Sequence, residues 1–343
     1  MKKEIWGFYP PPIGGISIYC KRLTEKLHVK DERIIMRNFA SSKSECAYVV
    51  DVKNRVVEFL KLFFVPKRII HAQFTNFYLL MLLYLCGWRH DIILTLHNRR
   101  LVLLDGWKRW IVNRLLRRVK YVIYNDPTYT PLLCEKFDVS EEKIVLLPTY
   151  ISPGEDEWKG LTPDISAFLA EHEYTLSANA HRVILNMYGD LYGMDQLISL
   201  VDRLVHEKKM DVGMVFCISD IFNHEYYNEC LATIKKLGLE HHFLFVIQSP
   251  VNGFEVWAAT DLFLRPTMSD MEGVSVKEAL QFGTPVVASD VCTRPQEAVL
   301  YETGNADDLF EKVYPILQSK QRVVYNPEVC VEDEIMRIYS SLS

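Results

Sequence analysis

Two carboxylates, Asp270 and Glu278, stand with seven residues between them in a segment rich in turn and strand signals. The pattern predicts a short apolar strand over 261–265, a polar loop, a helix over 273–282 and a second strand over 285–289. Asp270 then lies in the loop, and Glu278 about one and a half turns into the helix. Carboxylates only accept hydrogen bonds, so the pair could bind two separate sets of hydroxyl groups. The alternative is that Asp270 caps the helix and Glu278 is a solvated helix residue.

The elements around this pair would place further groups beside it. In parallel α/β sheets the loop after a strand faces the ligand, and the next helix directs its unpaired N–H groups into the same space. Gly273, Val274 and Ser275 begin the predicted helix, so their backbone is expected to bind an anion. Arg265 ends the preceding strand, and its planar guanidinium suits phosphate oxygens.

The segment resembles the signature of the family 4 (group 1) glycosyltransferases of the GT-B fold. That signature is an acid, seven residues, Glu, and then a glycine turn and a buried strand. The matching positions here are Asp270, Glu278, Ala279, Leu280, Gly283, Pro285, Val286, Val287, Ala288 and Ser289. The resemblance implies that the first acid contacts the transferred sugar and the second contacts the nucleotide ribose. The first acid is usually Glu, so Asp270 is shorter by one methylene.

Two further positions carry family features. Gly14 and Gly15 lie between a strand predicted over 3–9 and an amphipathic helix, where glycine lets the backbone approach a ligand closely or simply makes a tight turn. The resemblance implies that this loop approaches the donor phosphates. His97 ends a buried strand over 91–97; a structural hydrogen bond is the alternative to the implied place near the transferred sugar.

Strands and helices alternate along the whole chain, which predicts the α/β class with parallel sheets. At 343 residues the chain is long enough for two domains. We therefore expect two doubly wound, Rossmann-like domains facing a cleft, as in GT-B. The predicted domains are 1–151 on the acceptor side and 152–330 on the nucleotide-sugar donor side, and a helix over 331–343 is expected to pack back on the first domain.

The resemblance also marks a departure at the donor diphosphate. The family commonly has an Arg after the first strand of the second domain and a Lys about six residues later. With that strand placed over 183–188 and the sequence aligned on Gly193, Asn186 and Tyr192 fill these positions. Arg265 is the leading candidate to replace the missing charge, and Lys277 and Arg294 are further candidates.

Charge is divided unevenly along the chain. Residues 1–150 hold 25 Lys and Arg against 14 Asp and Glu, a net charge of +11, whereas the remaining residues hold 14 against 30, a net charge of −16. A helix predicted over 107–118 combines Trp107 and Trp110 with Lys and Arg, a composition typical of helices on anionic membranes. The alternative is a packed helix with a solvated basic face. Nucleic acid is not expected, since no binding module is recognisable.

Eight cysteines are scattered singly, which favours neither a disulfide framework nor a zinc site and fits a reducing cytoplasm. We expect neither a metal nor another cofactor. The longest apolar run, 77–88, is too short to span a bilayer, and no signal peptide is recognisable. The expected location is the cytoplasm, with peripheral attachment to the inner face of the membrane.

Together these features predict a retaining transferase that moves a hexose from a nucleotide diphosphate sugar to a saccharide, expected to be lipid-linked, in cell-surface polysaccharide or glycan biosynthesis. Two alternatives stay open. One is a non-catalytic nucleotide-sugar-binding subunit of a glycan assembly complex. The other is a GT-B nucleotide-sugar 2-epimerase, which would need additional acid/base carboxylates that show no clear spacing here.

Overall fold

The computed structural model describes residues 1–11, 14–187, 189–247, 252–270, 273–326 and 329–342. The chain forms two compact units. The first comprises Met1–Ile151 together with Pro327–Ser343, and the second comprises Ser152–Asn326.

The first unit is built on a seven-stranded sheet within the described residues, and every neighbouring pair of strands is parallel. Its order is β3-β2-β1-β4-β5-β6-β7. The strands are β1 (Lys2–Gly7), β2 (Ile35–Asn38), β3 (Val49–Asp51), β4 (Arg68–Ala72), β5 (Asp91–Thr95), β6 (Tyr121–Tyr124) and β7 (Ile144–Leu146). The connecting helices are α1 (Gly15–Lys30), α2 (Arg55–Leu60), α3 (Phe77–Cys86), α4 (Gly106–Arg118) and α5 (Tyr129–Phe137).

The second unit repeats this plan. Its large sheet has the order β12-β11-β8-β13-β14-β15, again with parallel neighbours, and a two-stranded hairpin pairs β9 with β10. The strands are β8 (Tyr174–Arg182), β9 (Leu185–Asn186), β10 (Gly189–Asp190), β11 (Val212–Asp220), β12 (Phe243–Ile247), β13 (Leu262–Arg265), β14 (Val286–Ser289) and β15 (Val299–Tyr301). The helices are α6 (Pro163–Glu171), α7 (Met194–Asp202), α8 (His224–Lys236), α9 (Gly253–Ala259), α10 (Val274–Gln281) and α11 (Ala306–Ser319).

The last helix, α12 (Val331–Ser341), belongs to the first unit. Its apolar stripe of Val331, Ile335, Ile338 and Tyr339 is buried in the same cluster as residues of α1 and β1. Burial of this stripe explains why the chain returns to the first unit after residue 326.

One strand prediction is wrong. The first strand of the second unit is β8. Of the predicted strand over 183–188, only Leu185–Asn186 forms a strand, β9 of the small hairpin, and residue 188 lies outside the described residues. In β8 the buried apolar face consists of Leu176, Ala178 and Ala180, and alternates with polar residues that the sheet also buries, such as Ser177. Small and polar side chains hid this central strand because they weaken the hydrophobic signal.

Both sheets reverse their strand order at a defined place, between β1 and β4 in the first unit and between β8 and β13 in the second. Ligands of doubly wound sheets bind beside the carboxyl ends of the strands at this switch point. Within the described part of the chain, no helix combines the length and the hydropathy needed to cross a membrane.

Candidate functional site

The loop that follows β13 holds a charged cluster. Asp270 accepts hydrogen bonds at Oδ2 from Nε of Arg265 and from Nη1 of Arg294, both at 3.0 Å. The side chain of Arg294 is completely buried, and those of Arg265 and Asp270 are nearly so. Two guanidinium groups therefore share one carboxylate, and the cluster of these three side chains carries a net charge of +1.

The protonation of Asp270 follows from two opposing effects. Burial raises the pKa of this carboxyl, but the charges and hydrogen bonds of Arg265 and Arg294 lower it by more, so that the pKa lies below its ordinary value of 3.8. Asp270 is therefore ionised at neutral pH. In the folded protein its carboxylate holds the guanidinium groups of Arg265 and Arg294 side by side.

Arg265 also bridges the switch point of the second sheet. Its Nη1 donates to the side-chain oxygen of Asn179 in β8 at 2.9 Å, and its guanidinium lies 5.3 Å from the ring centroid of Tyr192. Among the described residues, Nη2 of Arg265 has no hydrogen-bond partner. The guanidinium is thus fixed in place on a tyrosine face with one amino group still able to donate.

The structure corrects the sequence alignment that placed Asn186 and Tyr192 where the family commonly has an Arg and a Lys. Asn186 lies in the small hairpin and not directly after the first strand, which ends at Arg182. Arg182 forms an ion pair with Asp220, with Nε 3.0 Å from Oδ2. Tyr192, which replaces the expected Lys, has Arg265 over its ring.

Gly273 precedes α10 and adopts φ +64°, a left-handed conformation that favours glycine. A Cβ atom there would lie 2.2 Å from Nη1 of Arg294 and 3.1 Å from Oδ2 of Asp270. Glycine thus allows the buried ion pair to pack directly against the start of the helix. Val274 and Ser275 form the first turn of α10, and Ser275 is buried.

Glu278 lies one turn further along α10 and is partly buried. Its Oε2 accepts a long hydrogen bond, 3.4 Å, from Nε1 of Trp257 in α9. The indole N–H thus helps to position the carboxylate of Glu278. The two predicted acids therefore have different surroundings, as expected for groups that bind different parts of a ligand.

In the first unit, Gly14 and Gly15 lie at the exposed start of α1. Ser17 closes this turn, since its Oγ accepts from the Gly14 N–H and donates to the Gly14 carbonyl, both at 3.0 Å. No described residue beyond the immediate chain neighbours lies within 4 Å of a Cβ atom added at either glycine. Helix N-termini of this kind favour anions through their unpaired N–H groups.

His97, just beyond β5, belongs to a chain of polar side chains. Its Nε2 lies 2.9 Å from Oε1 of Gln73, whose Nε2 lies 2.9 Å from Nε2 of buried His71. Nδ1 of His71 in turn lies 2.8 Å from the hydroxyl of Tyr339 in α12. With the Gln73 amide donating to His71, His97 donates through Nε2 and keeps its lone pair on Nδ1 when neutral.

Burial also fixes the charge of His71. The pKa of this histidine falls to about 3, chiefly because burial disfavours the charged ring and further because His97 is near. His71 is therefore neutral at physiological pH. The ring of Tyr19 in α1 packs edge-on against His97 at 5.1 Å between centroids, so the helix that begins at Gly15 also helps to orient His97.

The structure groups the predicted site residues into two sets. Arg265, Asp270 and the start of α10 form one cluster, and Glu278 follows on the same helix. Gly14, Gly15 and His97 lie in the first unit. Sequence reasoning did not include Asn179, Gln73 or Tyr339, and it gave Arg294 a minor place. The alternation in residues 174–182 is the signal that could have located Asn179.

A separate cluster at the amino ends of β8 and β11 contains His172, Asp211 and His242, with potential ligand atoms within 4.8 Å of one another. Nδ1 of His172 lies 2.7 Å from Oδ1 of Asp211, and its Nε2 lies 3.1 Å from the carbonyl of His241. Both nitrogens of His172 thus lie within hydrogen-bond distance of oxygen atoms, and Nδ1 of His242 lies 2.8 Å from the Val212 carbonyl. The cluster fits a hydrogen-bonded clamp between strands.

Helix α4, the predicted basic and aromatic helix, is fixed by Val112, Leu115 and Leu116, which are its buried residues. Trp107 and Trp110 remain 60% and 55% exposed. Phe77 packs edge-on against Trp107, and the guanidinium of Arg114 lies 5.3 Å from the Trp110 ring centroid. The aromatic rings are thus held at the surface among cations.

Residues 183–322 match the family model described as glycosyl transferases group 1. No curated protein matches the sequence significantly. Among solved structures, the chain is similar to HepE of Anabaena in complex with UDP, at 16% identity and a TM-score of 0.68 over 99% of this chain and 95% of that one.

Two further structures resemble the chain over nearly its whole length. A glycosyltransferase of Rickettsia africae gives 15% identity and a TM-score of 0.69, and sucrose-phosphate synthase of Thermosynechococcus elongatus gives 15% and 0.67; each covers 99% of this chain and 98% of that chain. The predicted α/β fold with two Rossmann-like units, that of GT-B glycosyltransferases, is confirmed. The match of residues 183–322 to the group 1 family model supports a glycosyltransferase.

Proposed function

We propose that the protein is a retaining glycosyltransferase of family 4 type, which moves a hexose from a nucleotide diphosphate sugar to a saccharide acceptor. The main support for this proposal is the Arg265–Asp270–Arg294 cluster. It places a net positive charge at the switch point of the second sheet, beside the start of α10. A leaving diphosphate needs such charge, and fixed cations supply it without reorganisation during the reaction.

The donor diphosphate would lie against Nη2 of Arg265 and the backbone of Gly273, Val274 and Ser275. Helix N-termini favour anions through their unpaired N–H groups and the helix dipole. Glu278 would accept hydrogen bonds from the ribose hydroxyls. Asp270 would hold the two arginines in place and offer its carboxylate to the sugar hydroxyls.

In the first unit, His97 would contact the transferred sugar, and the loop at Gly14 and Gly15 would approach the donor phosphates. HepE has been solved with UDP and with UDP-glucose, which supports a nucleotide-sugar donor for a protein of this fold.

The proposed reaction needs no protein nucleophile. The acceptor oxygen bonds to C1 of the sugar as the bond from C1 to the diphosphate oxygen breaks, and the acceptor proton passes to the departing phosphate on the same face. The new bond then has the configuration of the old one. The positive cluster stabilises the negative charge that develops on the diphosphate.

We further propose that the acceptor is lipid-linked, that the enzyme acts in cell-surface polysaccharide or glycan biosynthesis, and that it lies at the cytoplasmic face of a membrane. The exposed Trp107 and Trp110 and the surrounding cations of α4 support this placement. Aromatic and basic side chains together favour the interface of an anionic bilayer.

The test is a thermal-shift and hydrolysis panel of UDP-, GDP-, ADP- and dTDP-sugars without added metal. Stabilisation by one nucleotide, with slow release of its diphosphate, supports the proposal and names the base. Stabilisation without release, even after lipid extract is added as acceptor, would favour a non-catalytic binding subunit. A protein that responds to none of the four would contradict the donor site.

A further inference from the structure

A basic pocket lies at the amino ends of β4, β5 and β6, opposite the edge that carries His97. It encloses about 210 Å³, and its lining includes Lys67, Trp88, Arg89, Asp91, Arg118 and Lys120. None of these residues belongs to the proposed donor or acceptor sites. The pocket is therefore a separate feature of the first unit.

The charges of the lining are unbalanced. Asp91 is the single carboxylate in the lining, and it pairs with Nζ of Lys67 at 2.8 Å and more weakly with Nζ of Lys120 at 3.9 Å. Burial lowers the pKa of His90, which also lines the pocket, so this ring adds no charge at neutral pH. Four cations against one carboxylate leave a net charge of +3.

Two of the four cations, Arg118 and Arg89, are held by uncharged groups, which do not neutralise them. Nη1 of Arg118 donates to the carbonyl of Tyr84 at 2.8 Å, and its guanidinium lies over the Tyr84 ring at 5.2 Å. Nη1 of Arg89 donates to the carbonyl of Phe63 at 3.1 Å. Both arginines are thus fixed at the pocket, and no carboxylate among the described residues pairs with them, which suits an incoming anion.

The pocket is continuous with the exposed face of α4. Arg118 is the last residue of that helix, and the Tyr84 ring beneath it also contacts Trp110 at 6.5 Å between centroids. At the rim, Trp88 is 61% exposed. A helix of this length spans about 20 Å, so a flat surface along α4 would meet the aromatic residues and the pocket together.

We propose that this pocket binds the phosphate of an anionic membrane lipid and so fixes how the first unit sits on the bilayer. The assignment of a lipid, and not of a free phosphate, follows from the exposed tryptophans that flank the cations, since such rings insert at the headgroup level. The inference rests on the proposed membrane placement of α4.

Flotation with vesicles tests the proposal on the full-length protein. Vesicles of phosphatidylcholine alone are compared with vesicles that also contain phosphatidylglycerol. The variant Lys67→Gln/Lys120→Gln should weaken binding to the anionic vesicles by about 25-fold, since each cation near such a surface contributes about fivefold. The matched control is Lys43→Gln/Lys53→Gln, which removes two exposed lysines that do not line the pocket and should change binding less than about twofold.

A second variant, Arg118→Gln, keeps both lysines beside Asp91 and therefore serves if the double lysine variant misfolds. It should weaken vesicle binding about fivefold. Equal vesicle binding by the pocket variants and the control variant would overturn the proposal that the pocket binds lipid. Weaker vesicle binding by Trp110→Ala would still support docking through α4. Inorganic phosphate that stabilises the wild-type protein, without any vesicle binding, would overturn the lipid assignment. The nucleotide-sugar panel is independent of all these outcomes, so the transferase proposal is judged separately.

Discussion

Tyr339, near the end of the last helix, lies with its hydroxyl 2.8 Å from Nδ1 of His71, although 268 residues separate them. Both side chains are fully buried. Burial is also the main reason that the pKa of Tyr339 lies well above its ordinary value, so its hydroxyl keeps its proton. This contact ties the end of the chain to the polar side chains that orient His97.

The substitution Tyr339→Phe should therefore destabilise the first unit. It leaves a buried ring nitrogen of His71 without its partner, which costs about 1–3 kcal/mol in the free energy of unfolding. Urea unfolding followed by tryptophan fluorescence measures the change. Tyr121→Phe is the matched control, because that hydroxyl also faces the last helix, 3.5 Å from Oγ of Ser341, but is exposed. Equal losses in the two variants would contradict a special role for the buried bond.

Stability should also fall with acid in a way that depends on His71. Its pKa is about 3 in the folded protein and about 6.5 in the unfolded chain, so between these values the unfolded state binds one proton more. The free energy of unfolding is then fully retained above pH 6.5 and falls by up to about 1.4 kcal/mol per pH unit towards pH 3. His71→Gln should reduce this slope in urea titrations at several pH values. An unchanged slope would contradict the low pKa of His71 in the folded protein.

Gly273→Ala should disrupt the charged cluster. The new Cβ would have to displace the buried guanidinium of Arg294, in addition to the strain of a left-handed backbone, and we expect a loss of about 3 kcal/mol or more. Gly238→Ala separates these effects, since Gly238 has a similar φ of +70° and no atom of the described residues lies within 4 Å of an added Cβ. That control should lose only about 1–2 kcal/mol, measured by urea unfolding. Similar losses would mean that the packing of Arg294 does not matter.

Substitutions of the two acids, Glu278 and Asp270, should impair different steps, nucleotide binding and transfer respectively. Glu278→Ala should raise the dissociation constant of the nucleotide about tenfold or more, because a charged hydrogen-bond acceptor is lost. Asp270→Asn should lower the transfer rate by about 100-fold, because the two arginines lose the carboxylate that positions them. Calorimetric nucleotide titration and diphosphate release measure the two effects. Glu278→Gln serves as a control that keeps one accepting oxygen, and equal activity in both acid variants would contradict the site.

The sequence by itself indicated most of the helices and strands, because their hydrophobic periods and glycine turns are local signals. It also predicted the fold class and the segment that holds Asp270 and Glu278, since residues after parallel strands meet at one edge. It missed β8 as the first strand of the second unit, since most of that strand consists of small or polar residues whose burial depends on the strands beside it.

Only the tertiary structure decided which groups meet. Arg294 binds Asp270 across 24 residues, Asn179 binds Arg265 across 86, and Tyr339 binds His71 across 268. The basic pocket likewise joins Lys67 to Arg118 and Lys120. Such pairings depend on strand order and on how the chain returns, and no local pattern of residue types encodes them. The charged residues could be identified from the sequence, but the residues with which they pair were determined by the packing of distant elements.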